Sequence, residues 1–388
     1  MRVLILGAGG VGAMAAWRLA QAGHEVVALE RFRVNHDRGS SYGDSRIVRR
    51  VYPDPLYTAL MAKSYTLWNE LETLSARHGI DTPLVQWCGG MFFGPKAHPD
   101  IAAAQAALDA NLVPYEVWTS LDRPEHFPAL RLDAGEIALY EPSMGFAYAS
   151  RCVCAAVAIA QHLGAQIHEE TVVEGIDSEG DSVVVTTQTG TKYRADRLLI
   201  AAGAWTQPLL QSLGVSLPLV VTRQAYIHLE PDLNPENFEI GKLPVWIDAG
   251  ANTYGFPHIG GGQAGGVKLG LHDMGEATTP DSVNRTVIPE DVETARRYAR
   301  RRFEGLGDRV AYAKVCLYTS TPDSDFVIDT VPGLHAATFV SACSGHGFKF
   351  TPLLGEIAGA LVTNQQLPYD LSRFRLNRFH AEQTACIA

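Results

Sequence analysis

The sequence predicts an α/β protein in which a parallel-sheet domain, assembled from three separated stretches of chain, is interleaved with a β-rich antiparallel domain. Three observations predict it. The N terminus is an apolar run followed at once by a glycine-rich turn and a helical pattern. The same strand, turn and helix order returns between residues 338 and 362. Between them, residues 217–271 alternate mostly with period 2 and are punctuated by turn residues, the pattern of an antiparallel sheet. The expected division is 1–85, 143–215 and 310–388 for the parallel-sheet domain, and 86–142 with 216–309 for the other. At 388 residues and 46% apolar the chain can bury a large core, which excludes intrinsic disorder.

Residues 2–6, Arg-Val-Leu-Ile-Leu, read as a buried strand, and Gly7 to Gly12 as the turn after it. Val11 to Ala22 is helical, with Gly23 to end it. Glu25 to Leu29 is a second strand closing on Glu30, which completes a β-α-β unit. A long helical pattern follows from about Leu56 to Arg77. Residues 84–94 and 136–148 carry strand-like runs broken by Gly and Pro. A helix spans about Ser150 to Leu163, and short strands are expected at Ala165 to Ile167 and Val183 to Thr187. Arg197 to Ala202 is an apolar strand ending in Gly203-Ala204-Trp205. The chain closes with a strand at Thr338 to Ala342, a Gly-rich turn, and a helix from Thr351 to Val362.

Charge excludes one class of partner. Lys+Arg number 32 against 42 Asp+Glu, a net of -10, and a nucleic-acid binder needs the opposite field. The one basic cluster, Arg296 to Arg302, follows Pro289, Glu290 and Asp291; acid first and base last is what a helix dipole favours, so it reads as a solvated helix. The six cysteines (Cys88, Cys152, Cys154, Cys316, Cys343, Cys386) are too scattered for a disulfide framework or a metal site. No apolar run reaches the ~18 residues of a membrane span. A cytoplasmic protein without membrane or metal is expected.

Five constellations carry chemistry. Gly7-x-Gly9-x-x-Gly12 lies between a strand and a helix, with an acid, Glu30, ending the next strand. Such glycines let a pyrophosphate approach the helix N-terminus, and the acid accepts hydrogen bonds from ribose hydroxyls. An acid there favours FAD or NAD over NADP, and the fingerprint leaves those two open. Arg46 and Arg49 follow a Gly/Ser turn, Gly39 to Ser45; if the stretch is helical they share one face. Two guanidiniums so placed can hold a carboxylate, the alternative being a surface pair balanced by Asp44. On a strand through Val267 to His272, Lys268, Gly270 and His272 face one way, leaving room for a ligand over Gly270; a solvated edge strand would look similar. Cys316 lies within Lys314 to Asp323, and a lone strand cysteine is ordinarily a small buried hydrophobe. Ser344 to Phe350 precedes the last helix, and its glycines are expected to expose backbone N–H groups where negative charge develops.

Taken together, these motifs resemble the monomeric sarcosine oxidase and N-methyltryptophan oxidase family, within the glycine/D-amino-acid oxidase superfamily of flavoproteins. The likeness covers essentially the full length. It rests on Gly-Ser-x-x-Gly-Asp-Ser-Arg-Ile-Val-Arg, on Tyr-Gly-Phe-Pro from Tyr254 to Pro257, on Lys-Leu-Gly-x-His, on Cys-x-Tyr-Thr-x-Thr-Pro-Asp, and on Ser-Gly-His-Gly-Phe-Lys-Phe, in that order along the chain. The chain departs from the pattern at Ser41 and Tyr42, where the family has two histidines close to the flavin.

The resemblance implies a Rossmann-like FAD-binding domain of the p-hydroxybenzoate-hydroxylase kind. It implies FAD attached through a thioether from Cys316 to the flavin 8α-methyl (8α-S-cysteinyl FAD), since relatives with non-covalent FAD lack a cysteine here. Cofactor contacts are expected from Gly7, Gly9, Gly10, Val11 and Gly12, from Glu30 and Arg31, and from Gly39, Ser40, Ser41 and Arg46. Val173, Gly203 and Trp205 would add to them, as would Gly345, His346, Gly347, Phe348 and Lys349. Arg49 and Lys349 would clamp the substrate carboxylate. Lys268 would lie where oxygen reacts, with His272, Tyr254 and Tyr318 lining the substrate cavity. The implied reaction is oxidation of a secondary amino acid, sarcosine or another N-methyl amino acid, with O2 reduced to hydrogen peroxide. The alternative substrate is a cyclic or bulkier amino acid of the pipecolate, proline or N-methyltryptophan type. The rivals are an NAD-linked dehydrogenase and a non-catalytic flavin-binding subunit. The chain is expected to be a monomer or weak homodimer.

Overall fold

The computed structural model describes residues 1–260, 265–272 and 275–379; Cys386 lies outside them. Arg2–Leu6 is the central strand of a six-stranded sheet. Its order is Val327–Val331, Leu334–Ser341, Arg197–Ile200, Arg2–Leu6, Glu25–Leu29, Gln166–His168. All neighbours are parallel except the first pair, which forms a hairpin. Three distant parts of the sequence thus build one sheet, because a parallel neighbour requires a crossover and each crossover here leaves room for an insert.

Both faces are covered, which is why its inner strands run apolar from Val3 to Leu6, Val26 to Leu29 and Leu198 to Ile200. On one face lie the helices Gly10–Gln21, Ala149–His162 and Thr351–Val362, contributing Met14, Trp17, Cys152, Val153 and Ile357 to the core. The long helix Pro55–Arg77 packs outside them, started by Asp54, whose side chain accepts from Leu56 N, and by Pro55. On the other face an antiparallel trio, Val173–Glu179, Ser182–Thr187 and Lys192–Ala195, buries Ile176, Val183 and Val185.

The second layer is a nine-stranded, mostly antiparallel sheet. Val220–Pro231 and Leu306–Ser320 form its longest ladder, and Val267–Leu271, Thr253–Phe256 and Val245–Asp248 continue it. Gly90–Pro95 then joins in parallel and Glu136–Glu141 in antiparallel fashion. Among the described residues no helix is long and apolar enough to cross a membrane.

Two expectations need correction. Arg46–Val48 is a strand, paired with Gly145–Ala147, so Arg46 and Arg49 do not share a helix face. Pro289–Arg302 is a helix, but not a solvated one at its end: Arg302 is 1% exposed and bonds Asp248 and Glu136. Ala295, Tyr298 and Ala299 of the same helix are buried against the nine-stranded sheet. Its charge pattern described the exposed face and hid the buried one.

Candidate active site

The glycine-rich turn is shaped by close approach rather than by flexibility alone. Gly7 has φ +97, and a Cβ there would lie 2.6 Å from the Ala201 carbonyl oxygen. A Cβ on Gly12 would collide with the Gly7 carbonyl, so the helix can press onto the turn only as glycine. The first helical turn carries no acid, and the Gly10 N–H donates to Ser41 Oγ at 2.9 Å. Glu30 accepts from Ala8 N at 2.8 Å and Phe32 N at 2.9 Å. Burial alone would raise its carboxyl, but bonds from His36, Ala8 and Phe32 hold it below the usual carboxylate range.

A cavity of about 440 Å³ opens between the two sheets. Its wall carries Gly7, Gly9, Gly10, Val11, Glu30 and Arg31, then Gly39, Ser40, Ser41 and Arg46, then Val173, Gly203 and Trp205. Gly345, His346, Gly347, Phe348 and Lys349 line it as well, together with Arg49, Tyr254, His272, Cys316 and Tyr318. Four buried side-chain atoms on this wall have no protein partner: Asn35 Oδ1, Arg49 Nη1, Thr319 Oγ1 and Thr351 Oγ1. Buried polar atoms are ordinarily paired, so these four mark wall residues whose polar atoms the protein itself leaves unmatched. The acid-free helix start and the glycine cradle fit FAD.

Cys316 sits on the strand Leu306–Ser320 between Val315 and Leu317, which are 2% and 0% exposed; alternation turns its thiol into the cavity. Burial raises the thiol, against the opposing charges of Arg46 and Lys268. Tyr254 and Tyr318 share a hydrogen bond, and burial pushes the Tyr254 phenol up to about 12. The His272 ring lies 5.7 Å from that of Tyr318.

Arg49 and Lys349 meet around a residue that sequence reasoning missed, Tyr52. The Arg49 guanidinium lies 4.2 Å from the Tyr52 ring centroid, and Lys349 Nζ donates to Tyr52 Oη at 2.9 Å and to the His346 carbonyl at 2.8 Å. Ser64 Oγ and Trp68 Nε1 on the long helix both donate to the Lys349 carbonyl, fixing its backbone. Burial first, and Arg49 second, lower the Lys349 ammonium well below its usual value.

Several site residues stand elsewhere than expected. Lys268 is buried but not on the cavity wall; its Nζ donates to Ser45 O at 3.2 Å and Ser45 Oγ at 3.1 Å, 4.3 Å from the Tyr226 ring centroid. Ser45 and Tyr226 line the wall in its place. The space over Gly270 is not open to a ligand: a Cβ there would lie 2.6 Å from Tyr254 Cζ, so the Tyr254 ring fills it. Gly12 packs the turn without lining the cavity. In the Ser344–Phe350 turn, the His346 and Gly347 N–H groups donate to the Cys343 carbonyl rather than to the cavity. Arg46 holds the loop, its guanidinium donating to the carbonyls of Ser40, Tyr42 and Ser45. For Tyr52, Tyr226 and Asn35 the sequence carries no motif; for Ser45, its place between Asp44 and Arg46 was the available signal.

Comparison with known proteins gives a consistent result. A family model described as FAD dependent oxidoreductase matches residues 2–361. A monomeric sarcosine oxidase from Streptomyces avermitilis is 34% identical over 98% of both chains. Human peroxisomal sarcosine oxidase is 31% identical over 97% of this chain and 95% of its own. An N-methyl-L-tryptophan oxidase from Shigella flexneri is 29% identical over 97% and 99%. Among solved structures, NikD, an unusual amino acid oxidase essential for nikkomycin biosynthesis, superposes with a TM-score of 0.84 at 24% identity over 96% of both chains.

Proposed function

The chain belongs to the family of FAD dependent oxidoreductases, and on that premise we propose that it oxidises a small secondary amino acid, sarcosine or another N-methyl amino acid, with O2 as acceptor and hydrogen peroxide as product. The observation that carries this reading is the pair of cations around Tyr52 on the cavity wall, Lys349 buried and Arg49 half-buried with an Nη1 that no protein group partners. A carboxylate bound between Arg49 and Lys349 gains two charge-assisted contacts and restores the Lys349 ammonium, whose charge burial otherwise disfavours.

The Gly7–Val11 turn would hold the pyrophosphate of FAD, Glu30 its ribose, and Cys316 its 8α-methyl carbon through a thioether. Bound there, FAD would supply the redox chemistry, acceptance of a hydride equivalent from the carbon beside nitrogen with O2 as the final acceptor. The protein supplies orientation and charge. Arg49 and Lys349 fix one end of the substrate, and Tyr254, Tyr318 and His272 exclude water from the other. The substrate end of the wall carries cations and neutral phenols, while the wall's carboxylates, Glu30 and Glu174, belong to the dinucleotide end. That field favours the neutral amine, whose lone pair assists loss of hydride. Lys268 stands behind the wall on Ser45 and Tyr226, its ammonium lowered well below the usual value first by burial and then by Arg46, so negative charge arising on oxygen beside it would restore its proton.

Peroxide release from a series of N-methyl and cyclic amino acids tests the reading. Activity on sarcosine or another N-methyl amino acid is expected; activity confined to proline-type or bulky substrates moves the assignment to that class. Acid-precipitated wild type should stay yellow while Cys316→Ser loses its colour to the supernatant. A colourless wild-type pellet overturns the covalent attachment.

A further inference from the structure

Between Arg49 and Tyr52 lie only Arg50 and Val51, and the backbone of these two residues is held by a side chain from a distant part of the sequence. The strand Arg46–Val48 has ended before them, and Val51 is fully buried, so its N–H needs a partner within the protein. Glu141, the last residue of the strand Glu136–Glu141 and 0% exposed, supplies the acceptor. Its Oε2 accepts from Arg50 N at 2.8 Å and from Val51 N at 3.1 Å. Its Oε1 accepts from Ser143 Oγ at 2.7 Å, from Tyr65 Oη on the long helix at 3.2 Å, and from Arg50 Nε at 3.4 Å. All of these partners are donors, so a carboxylate fits where an amide, with donors of its own, would not. The Arg50 guanidinium also provides the counter-charge that a buried carboxylate needs.

Glu141 does not itself line the cavity, but both residues that flank its two backbone contacts bear on the clamp. The Arg49 guanidinium stands 4.2 Å from the Tyr52 ring centroid, and Tyr52 Oη accepts from Lys349 Nζ at 2.9 Å. Three peptide steps separate Arg49 from Tyr52, about 10 Å at full extension, so fixing the two N–H groups between them fixes where both side chains start. We propose that Glu141 is the positioning residue of the carboxylate clamp, holding the 50–51 backbone so that the Arg49 guanidinium and the Lys349 ammonium converge on one bound carboxylate. This rests on the reading that Arg49 and Lys349 bind the substrate carboxylate. It ties the clamp to the nine-stranded sheet through Glu141 and to the long helix through Tyr65, and it assigns a role to a buried acid that makes no contact with the substrate.

The test uses the full-length flavin-loaded protein and two unreactive probes, acetate and its neutral counterpart acetamide, titrated while the flavin absorbance is followed. The wild type should bind acetate the more tightly. Glu141→Gln should weaken acetate by about 10- to 100-fold, the loss of a charge-assisted contact, and leave acetamide unchanged. Tyr65→Phe removes one donor to Oε1 but leaves both backbone contacts on Oε2, so it should keep the acetate preference even if it lowers the melting temperature. Glu141→Asp keeps the charge and shortens the reach; it should show a smaller loss of the same kind, and it carries the test if Glu141→Gln does not fold. Wild-type acetate binding in both Glu141 variants, or an equal loss in Tyr65→Phe, makes the acid a structural one and overturns the inference. A wild type that does not prefer acetate overturns the carboxylate clamp itself, and the inference with it.

Discussion

At the scale of single residues, Tyr52 is the organising side chain of the carboxylate end: its ring faces one cation and its hydroxyl accepts from the other. Burial raises its phenol to about 12, so it remains a neutral acceptor for Lys349. Arg49→Ala should lower kcat/KM for amino-acid substrates by roughly 10- to 100-fold, the range for loss of a charge-assisted bond. Amines without a carboxylate should be little affected, and steady-state kinetics on matched pairs of substrates will show whether the two classes separate. Gly345 is a second sensitive position, with φ +71 and an added Cβ 2.5 Å from His272 Cε1 and 2.7 Å from Tyr318 Cε2. Gly345→Ala should cost about 1–3 kcal/mol in stability through overpacking and should raise KM by displacing both rings. A variant with unchanged melting temperature and KM would show that the turn relaxes freely.

At the scale of elements, the helix Pro289–Arg302 is bound to the nine-stranded sheet by one buried guanidinium. Arg302 reaches Glu136 on one strand at 2.6 Å and Asp248 on another at 2.9 Å, and Tyr298 Oη donates to Asp248 as well. The network need not add net stability, but removing its cation strands two buried acids. Arg302→Ala should therefore destabilise by about 3–5 kcal/mol, read from the urea midpoint. Arg301→Ala, one residue earlier and exposed, should change it by less than ~0.5 kcal/mol. The contrast tests whether this helix is held by its buried residue or by its charged face.

At the scale of the whole molecule, two histidines, His228 buried and His346 half-buried, set a limit on acid stability. His228 is lowered from 6.5 to about 3, first by burial and then by the nearby Lys268, and His346 is lowered well below 6.5 by burial and Lys349. Both are neutral in the fold at pH values where the unfolded chain has already protonated them. The unfolded state therefore binds more protons, so stability should be level above about 6.5 and fall as pH drops from there toward 3. Each histidine contributes a slope of at most about 1.4 kcal/mol per pH unit. His228→Asn should flatten the decline between pH 6 and 4 in thermal melts; an unchanged slope would place the acid sensitivity elsewhere.

The sequence by itself determined the parallel sheet, the helix at 351–362 and the glycine turn with its acid, because these depend on local spacing, and the resemblance carried by its motifs pointed to many, though fewer than half, of the residues that line the cavity. Strand period, glycine position and motif order survive whatever the rest of the chain does. The tertiary structure alone decided the order in which the strands stand in that sheet, that Arg46–Val48 is a strand, and that Arg302 is buried despite its charged neighbours. It also decided that Lys268 stands behind Ser45, that the Tyr254 ring occupies the space over Gly270, and that Tyr52 joins Arg49 to Lys349. The physical reason is common to all of these: a side chain's orientation follows from its own strand or turn, but what it meets comes from residues far away in the chain, and no local periodicity records that contact.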